Sequence, residues 1–398
     1  MFLKTLHLSQ FRNYTQQRVE FQAPKTILVG DNAQGKTNLL EAVALLSTLK
    51  SSRSGRDREL VMMGEAAGQI TGYLQRHSDI KLSLTLRSNG RRTCAVNGEN
   101  CRRQLDFLGI LNTVQFSSFD LELVRGSPEQ RRSWIDSVLV QLEPVYAHLL
   151  QQYHKVLRQR NALLKELRQS QGDKGSREVL GSENVHGQLV VWDAQLAATG
   201  VQVSRRRARA LARLGPLAQT WHAAISGKTE VLDIHYLPNV EAMQEPAIRD
   251  DPQRGQQEFL AKLHSYAHIE QYQGSTVVGP HRDEIAFLLN QQSAKQYGSG
   301  GQQRTLVLAL KLAELQLIET VVGEPPILLL DDVLAELDPN RQYQLFEAIQ
   351  ERFQTIITTT HLTGFDQNWL TDSQILTVKS GRIESGLGRR GDGETGGW

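Results

Sequence analysis

Eight consecutive residues carry the first recognisable chemistry in this chain: Gly30, Asp31, Asn32, Ala33, Gln34, Gly35, Lys36 and Thr37. They fit the spacing G-x-x-x-x-G-K-[ST], in which glycines let backbone N–H groups turn inward around phosphate oxygens. Lys36 is placed to put a point charge on the β- and γ-phosphates of ATP, and the Thr37 hydroxyl to ligate Mg²⁺. A chance glycine–lysine turn is the plain alternative. The flanking residues argue against it. Ile27-Leu28-Val29 suits a buried parallel strand, and Asn38 to Leu46 is rich in helix formers. Strand, loop and helix is the setting this motif needs, and the helix start near Lys36 adds its positive end.

A second group of residues lies almost three hundred positions later. Ile327-Leu328-Leu329-Leu330-Asp331 has the form of an aliphatic strand with an acid at its C-terminal edge, where open α/β sheets hold ligands. Asp331 is expected to hold Mg²⁺, directly or through water. Asp332 is placed to orient or deprotonate the attacking water, which makes it a candidate catalytic residue. Aliphatic–Asp strings are common, and a buried strand with a solvated acidic turn is the plain alternative for this one taken alone. Beside the phosphate loop it gains meaning. Ser299-Gly300-Gly301-Gln302 precedes a helical stretch, so the Ser299 hydroxyl and the glycine amides could bind an anion. Glu336-Leu337-Asp338 follows the acidic pair. His361 ends a β-branched strand, where it could touch a γ-phosphate as a second catalytic candidate, although a lone strand-end histidine is more often structural. The order of these pieces is the stronger signal.

The elements that must position them follow from periodicity. Residues 2–29 alternate as strands do. Further strands are expected at Gln69–Leu74, Ile80–Leu86 and Thr93–Val96, the last followed by an Asn97-Gly98 turn. From Pro128 the apolar spacing becomes helical through residue 168, with Pro144 kinking or splitting the pattern. Ser170–Gly187 is polar and Gly/Ser-containing, and reads as a mobile loop before a second helix, Leu189 to Leu214. Strand-like text returns at Val231–Leu237, Ser275–Val278 and Glu284–Leu289. A helix from Thr305 to Val321 and strands at Ile327–Leu330 and Thr355–Thr359 complete the α/β pattern, a mixed sheet with an all-α insertion.

Composition excludes several classes. Hydrophobic residues make up 39% and charged residues 22% of 398, which is ordinary for a globular protein with a sizeable core. The net charge of +2 argues neither for nor against nucleic acid, so any basic surface must be local. Cys94 and Cys101 match no metal-ligand spacing and are too few for a disulfide framework, as expected of reduced thiols in a cytoplasmic protein. The N-terminus lacks the apolar core of a secretory signal, and no run approaches a membrane span. Local basic clusters do exist. Arg53 and Arg56, close after the phosphate-loop helix, are the preferred DNA contacts, with Arg131 and Arg132 a further pair. The Arg205–Arg213 set faces several directions of a helix. No aromatic interleaving suggests base stacking, so duplex or a single-/double-strand junction is the more natural target.

The order of phosphate loop, serine–glycine signature, acidic strand, Leu-Asp turn and histidine resembles the ABC-type ATPase head. Within that superfamily the chain is most similar to the RecF family of bacterial recombinational repair proteins. The residues carrying this are Phe11-Arg12-Asn13-Tyr14, Gly30–Thr37 with Asn38, Phe116-Ser117 leading to Asp120-Leu121, and Gly126-Ser127-Pro128 with Arg131-Arg132. Arg160-Asn161, Gly279-Pro280-His281-Arg282-Asp283 and Asp331-Asp332 with Glu336-Leu337-Asp338 add to them.

The resemblance implies an ATPase lobe from residues 1–127 and 275–386, a helical lid over 128–274, and a disordered tail over 387–398. It implies that ATP and Mg²⁺ are bound by the loop, with Arg12 and Asn38 among the nucleotide contacts. It also implies an ATP-dependent homodimer in which Ser299, Gly301 and Gln302 of one copy meet the γ-phosphate held by the other. DNA binding, weak ATP hydrolysis used as a switch, partnership with RecO and RecR, assistance to RecA loading, and roles in replication and the SOS response are further implications. Gln115 is the nearest candidate for the Q-loop ligand. Asp332 stands where most ABC ATPases carry Glu; Asp-Asp is frequent in the RecF family, and the shorter side chain suggests slow turnover. A transporter ATPase would need a membrane partner, an SMC arm far more heptads, and a coupled nuclease an additional metal-site domain.

Overall fold

The structure is a computed structural model that describes residues 1–51, 53–172, 180–349, 352–362, 365 and 367–385. The chain opens with strands β1 (Phe2–Phe11), β2 (Tyr14–Glu20) and β3 (Lys25–Val29), then helix α1 (Lys36–Thr48). Strands β4 (Ala67–Gln75), β5 (Asp79–Arg87), β6 (Arg92–Val96), β7 (Glu99–Asn100) and β8 (Thr113–Ser117) follow. Next come α2 (Glu122–Arg125), α3 (Pro128–Leu142), α4 (Val145–Gly172), α5 (Leu180–Ser226) and β9 (Leu232–Leu237). After α6 (Pro246–Arg249) and α7 (Pro252–Gln273) lie β10 (Glu284–Leu289), β11 (Gln292–Ser293), α8 (Ala294–Tyr297) and α9 (Gly300–Val322). The chain ends in β12 (Ile327–Asp331), α10 (Pro339–Ile349), β13 (Thr355–Thr359), α11 (Gln367–Thr371), β14 (Ser373–Lys379) and β15 (Arg382–Ser385).

Contacts divide the chain into one unit of residues 1–119 with 318–398 and another of 120–317. The first holds two sheets of six strands. One runs β15-β14-β3-β13-β12-β8, parallel except for the edge strand β15. Its central strands are buried on both faces, with Ile27, Leu28, Ile356, Ile357 and Ile327 to Leu330 fully buried. Register then fixes the functional edge: Val29 lies opposite Thr359, Thr358 opposite Asp331, and Asp331 opposite Ser117. The other sheet, β2-β1-β4-β5-β6-β7, is antiparallel and buries one face through Leu3, Leu6, Leu8, Ile70, Leu82 and Leu84. Helix α1 contacts β4 and β5 of this sheet and β8, β12 and β13 of the other. Gly72 permits that approach, since a Cβ there would stand 2.8 Å from Leu46 Cδ1.

The second unit packs α3, α4, α5 and α7 with a small sheet, β11-β10-β9. Pro144 does split the first helical stretch, between α3 and α4. The expected loop over Ser170–Gly187 is not what forms at its ends. Helix α4 runs to Gly172 and α5 starts at Leu180, because each residue added to an existing helix gains a hydrogen bond. Residues 173–179 lie outside the described residues. Nor does α5 stop at Leu214. It carries Pro216 in its interior, with Leu214 and Ala218 both buried, so packing outweighs the lost N–H.

Ser275–Val278 is not a strand either. Its N–H groups find partners outside any sheet: Ser275 N–H donates to the Glu270 carbonyl at 3.2 Å, Thr276 N–H to Asn161 Oδ1 at 2.8 Å, and those of Val277 and Val278 to Glu270 Oε1 at 2.8 and 3.3 Å. Residues 275–317, grouped above with the ATPase lobe, fall in the helical unit because β10 pairs with β9 and their charged side chains meet those of the helices. The tail expected to be disordered, 387–398, lies outside the described residues.

Two buried arginines organise this unit. Arg160 meets Asp193 at 2.6 Å, Glu270 at 2.7 Å and the Thr276 hydroxyl at 2.8 Å. Arg207 grips both oxygens of Asp136 at 2.8 Å and donates to the Pro280 carbonyl at 2.6 Å. It also pairs with Asp283, whose carboxylate accepts from Tyr236 and from the Asn239 N–H. Isolated, such charges would be costly to bury; paired and hydrogen-bonded, they fix helix register. The motif Gly279–Asp283 thus reads as the hub of the helical unit.

His281 belongs to the same hub. Its Nε2 lies 3.1 Å from the Thr276 carbonyl, so Nε2 donates and Nδ1 accepts from the Tyr153 hydroxyl at 2.6 Å. Burial holds the imidazole pKa down to about 4. A lowered histidine pKa contributes stability that is complete above the unfolded value of about 6.5 and lost as pH falls through about 4. Between those values the unfolded chain binds about one more proton at this ring. Urea unfolding across pH 4 to 6.5 is expected to show that slope, about 1.4 kcal/mol per pH unit, and His281→Phe to lose it.

Candidate nucleotide site

The phosphate loop is held by its surroundings as well as by its glycines. Gly35 sits at φ +117°, and a Cβ there would meet Asn13 Nδ2 at 2.7 Å. At Gly30 a Cβ would stand 2.3 Å from the Val378 carbonyl oxygen of β14. Asn13 Nδ2 donates to the Gln34 carbonyl at 3.0 Å, Asn38 Nδ2 to Asn13 Oδ1 at 2.8 Å, and the Tyr14 hydroxyl to the Gly35 carbonyl at 2.9 Å. From the β14–β15 turn, Ser380 N–H donates to Gln34 Oε1 at 2.6 Å and Gly381 N–H to the Gln34 carbonyl at 2.9 Å. Asn13 and Tyr14 are therefore splints for the loop, as are Ser380 and Gly381, which drew no notice in the sequence. Lys36 Nζ, nearly buried, donates to the Gly30 and Asp31 carbonyls at 2.6 and 3.0 Å. An ammonium has three protons, so one remains for a phosphate oxygen.

Thr37 and Asp331, 294 residues apart, meet: the hydroxyl donates to Asp331 Oδ1 at 2.8 Å. Thr358 Oγ1 donates to the same oxygen at 2.8 Å and accepts from the Asp332 N–H at 3.0 Å. Burial raises the Asp331 pKa and the neighbouring Asp332 charge adds to this, while the two hydroxyls and the Arg53 charge oppose. The donor set fits Mg²⁺. Adjacent ligands on an octahedron of about 2.1 Å radius lie roughly 2.9 Å apart, close to the spacing of these two hard oxygens. Among the described residues no group of three or more His, Cys, Asp or Glu could hold a metal ion. A cation here would therefore rest on Thr37, Asp331 and phosphate oxygens, the usual habit of Mg²⁺.

The Arg12 guanidinium is bidentate on Glu41 at 2.8 Å and donates to the Glu59 carbonyl at 2.9 Å, so it ties β1 to α1. Asp332 adopts a left-handed backbone, φ 54°, after the strand. His361 is exposed, with its N–H on Thr359 Oγ1. Gln115 lies within β8 opposite Leu329; the residue opposite Asp331 is Ser117. In the helical unit, Ser299 is the exposed cap of α9, with Gly301 and Gln302 in its first turn.

The DNA expectations need one clear correction. Arg131 is 5% exposed and bound to both oxygens of Glu284, so its charge supports α3 against β10 and cannot reach a phosphate backbone. Arg132 is half-buried and donates to the Asp283 carbonyl at 2.6 Å. Arg205 and Arg209 pair with Asp250, and Arg206 with Glu143. Arg53 donates to Asn38 Oδ1 at 2.9 Å, beside the loop. Arg56 is exposed.

Aromatic interleaving, absent along the sequence, appears across strands. The outer face of the antiparallel sheet holds an open groove of about 410 Å³ lined by Lys4, His7, Arg18, Tyr73 and Lys81, with Asp79 at one end. The Tyr73 ring lies 5.4 Å from the His7 ring and 5.6 Å from Lys81 Nζ. These residues come from four strands, so no local run of sequence announces them.

A parallel sheet whose edge joins a phosphate loop to a buried acid, with an antiparallel sheet on α1 and a helical insertion, defines an ABC-type ATPase head. The family model described as RecF/RecN/SMC N terminal domain matches residues 2–382. A protein of Gloeothece citriformis called DNA replication and repair protein RecF is 61% identical over 386 residues, covering 96% of this chain and 99% of that one. Its namesake in Nostoc punctiforme is 62% identical over 384 residues, 96% of this chain and 99% of its own. A solved structure described as the recombination mediator protein RecF-ATPrS in the RecFOR pathway superposes with a TM-score of 0.85 at 31% identity, covering 97% of this chain and 98% of that one. The Smc head of Pyrococcus furiosus, at 15% identity and TM-score 0.50 over 96% of this chain and 95% of its own, shares the fold. The chain belongs to the RecF family.

Because burial penalises the Asp331 charge, an isosteric amide should relieve a cost while removing a cation ligand. Asp331→Asn is expected to melt at or above the wild-type temperature and to lose affinity for ATP with Mg²⁺ by about tenfold or more. Calorimetry of both proteins checks this, and a lower melting temperature with intact affinity would contradict it.

Proposed function

We propose that this chain is an ATP-dependent DNA-binding protein of gap and recombinational repair, whose two copies close on nucleotide. The contact between Thr37 and Asp331 carries the reading, because it gathers a phosphate loop and a buried acid at one sheet edge. Gly30 to Thr37 would cradle the triphosphate, with Lys36 on its β- and γ-oxygens and Asn38 at the loop's end. Thr37 and Asp331 would hold Mg²⁺, which supplies charge neutralisation on the phosphates. Asp332 would hold the attacking water, with His361 beside the γ-phosphate. A carboxylate one methylene shorter than glutamate fits slow hydrolysis used as a switch. Relatives described within the RecFOR pathway support RecO and RecR as partners, and with them assistance to RecA loading, replication and the SOS response.

The partner surface for the second copy is the exposed N-terminus of α9. Ser299, Gly300 and Gly301 present a hydroxyl and the positive end of a long helix, suited to the γ-phosphate held by the other subunit. DNA would be held through its backbone as duplex or a single-/double-strand junction. Arg56 and the groove cations Lys4, Arg18 and Lys81 are the exposed groups that fit. Among the described residues no helix is long and apolar enough to cross a membrane.

Light scattering is expected to show ATP with Mg²⁺ converting monomer to dimer, and Ser299→Arg blocking this while nucleotide binding persists. Filter binding to duplex, single-strand and gapped DNA across a salt series should show retention that rises with ATP and falls steeply with salt. Equal retention with and without nucleotide would reject the gating.

A further inference from the structure

The signature segment belongs to a chain of polar contacts that runs from the surface to a buried imidazole. Ser299 caps α9: its Oγ accepts from the Gln302 N–H at 3.2 Å, and Gln302 Oε1 accepts from the Ser299 N–H at 2.7 Å. The Gln302 side-chain nitrogen donates to Glu230 Oε1 at 2.8 Å. A carboxylate only accepts, so Glu230 decides which way the Gln302 amide faces. With the amide turned over, its nitrogen would confront the Ser299 N–H and the cap would fail. The serine oxygen accepts within the cap, which leaves its proton to be donated outward.

Glu230 has a second neighbour. Its Oε2 lies 3.5 Å from His222 Nε2. His222 is fully buried in α5, and among the described residues neither ring nitrogen has a hydrogen-bond partner. Burial lowers its pKa, with Glu230 opposing, so the ring is neutral and carries one N–H. A buried N–H without an acceptor costs free energy, and among the described residues the carboxylate facing this ring is the one that holds Gln302.

The backbone makes this placement stiff. Helix α5 ends in two left-handed residues, Gly227 at φ 68° and Lys228 at φ 62°, with the Lys228 N–H returning to the Ala223 carbonyl at 2.9 Å. Just beyond Glu230, Val231 exchanges hydrogen bonds with Asn290: its N–H donates to Oδ1 at 2.8 Å and its carbonyl accepts from the Asn290 N–H at 2.9 Å. Glu230 is clamped on both sides.

We propose that Glu230 is a positioning residue for the signature serine, with Nε2 of the buried His222 3.5 Å from its other carboxylate oxygen. It presents the Ser299 hydroxyl to the terminal phosphate of a nucleoside triphosphate bound by a second copy of the chain. This rests on the trans-capping reading above. Glu230 touches no nucleotide; it acts through Gln302.

The test uses the full-length chain with Glu230→Ala, Glu230→Gln, His222→Phe and, as reference, Ser299→Arg. Three quantities are measured: ATP affinity of the monomer, ATP-driven dimerisation by light scattering, and melting temperature. Glu230→Ala is expected to weaken dimerisation about tenfold while monomer affinity and melting temperature stay at wild-type values. Glu230→Gln, whose amide oxygen can still accept from Gln302, should restore most of the loss, and His222→Phe should fall between. Unchanged dimerisation in Glu230→Ala, with Ser299→Arg impaired, overturns this proposal alone. A parallel drop in melting temperature and monomer affinity marks a merely structural role and also overturns it. Normal dimerisation in Ser299→Arg removes the trans-capping reading itself.

Discussion

The site depends on one contact, the Thr37 hydroxyl against the Asp331 carboxylate. Neither residue is unusual in its own segment. What brings them together is a parallel sheet in which β3 and β12 both flank β13, so that their C-terminal ends align at one edge. Burial at that edge raises the carboxylate's pKa, and two hydroxyl donors oppose the shift. The carboxylate is thus costly to keep charged, and the two hydroxyls offset part of that cost.

The helical unit uses buried charge differently. Arg160 and Arg207 are sealed among carboxylates from separate helices and from the segment before β10, and those pairings tie the helices together. Lys311 follows the same habit, buried between Asp120 and Glu314, with Trp134 Nε1 donating to Glu314 at 3.0 Å. Each ion pair specifies one arrangement among the many that apolar helices would tolerate. A unit fixed this way can hold the cap of α9 steady.

Much of this was legible in the sequence, and for a physical reason. The phosphate loop and β12 are local: their chemistry lies within a few consecutive residues, and their period of two or continuous apolarity survives in any context. Strands β10 and β13 fall where strand-like text and a β-branched run place them. Features made by distant residues were not legible. Arg131 reads as a surface cation until Glu284 is seen against it. The Tyr73 groove needs four strands in register, and Ser275–Val278 looks like a strand because its true partners are the side chains of Asn161 and Glu270. Arg12 shows the same limit, since its position near the loop said nothing of Glu41.

The pairing of β3 has a consequence for synthesis. This strand, residues 25–29, lies between β13 and β14, residues 355–359 and 373–377. A ribosome releases β3 long before either neighbour exists. The antiparallel sheet and the helical unit can close on contacts already made, while β3 waits with both edges unpaired. Until residues 355–377 have been made β3 has neither neighbour to pair with, so the sheet that carries the nucleotide loop closes only after most of the chain is synthesised. An exposed apolar strand kept waiting that long is also where a nascent chain would need shielding.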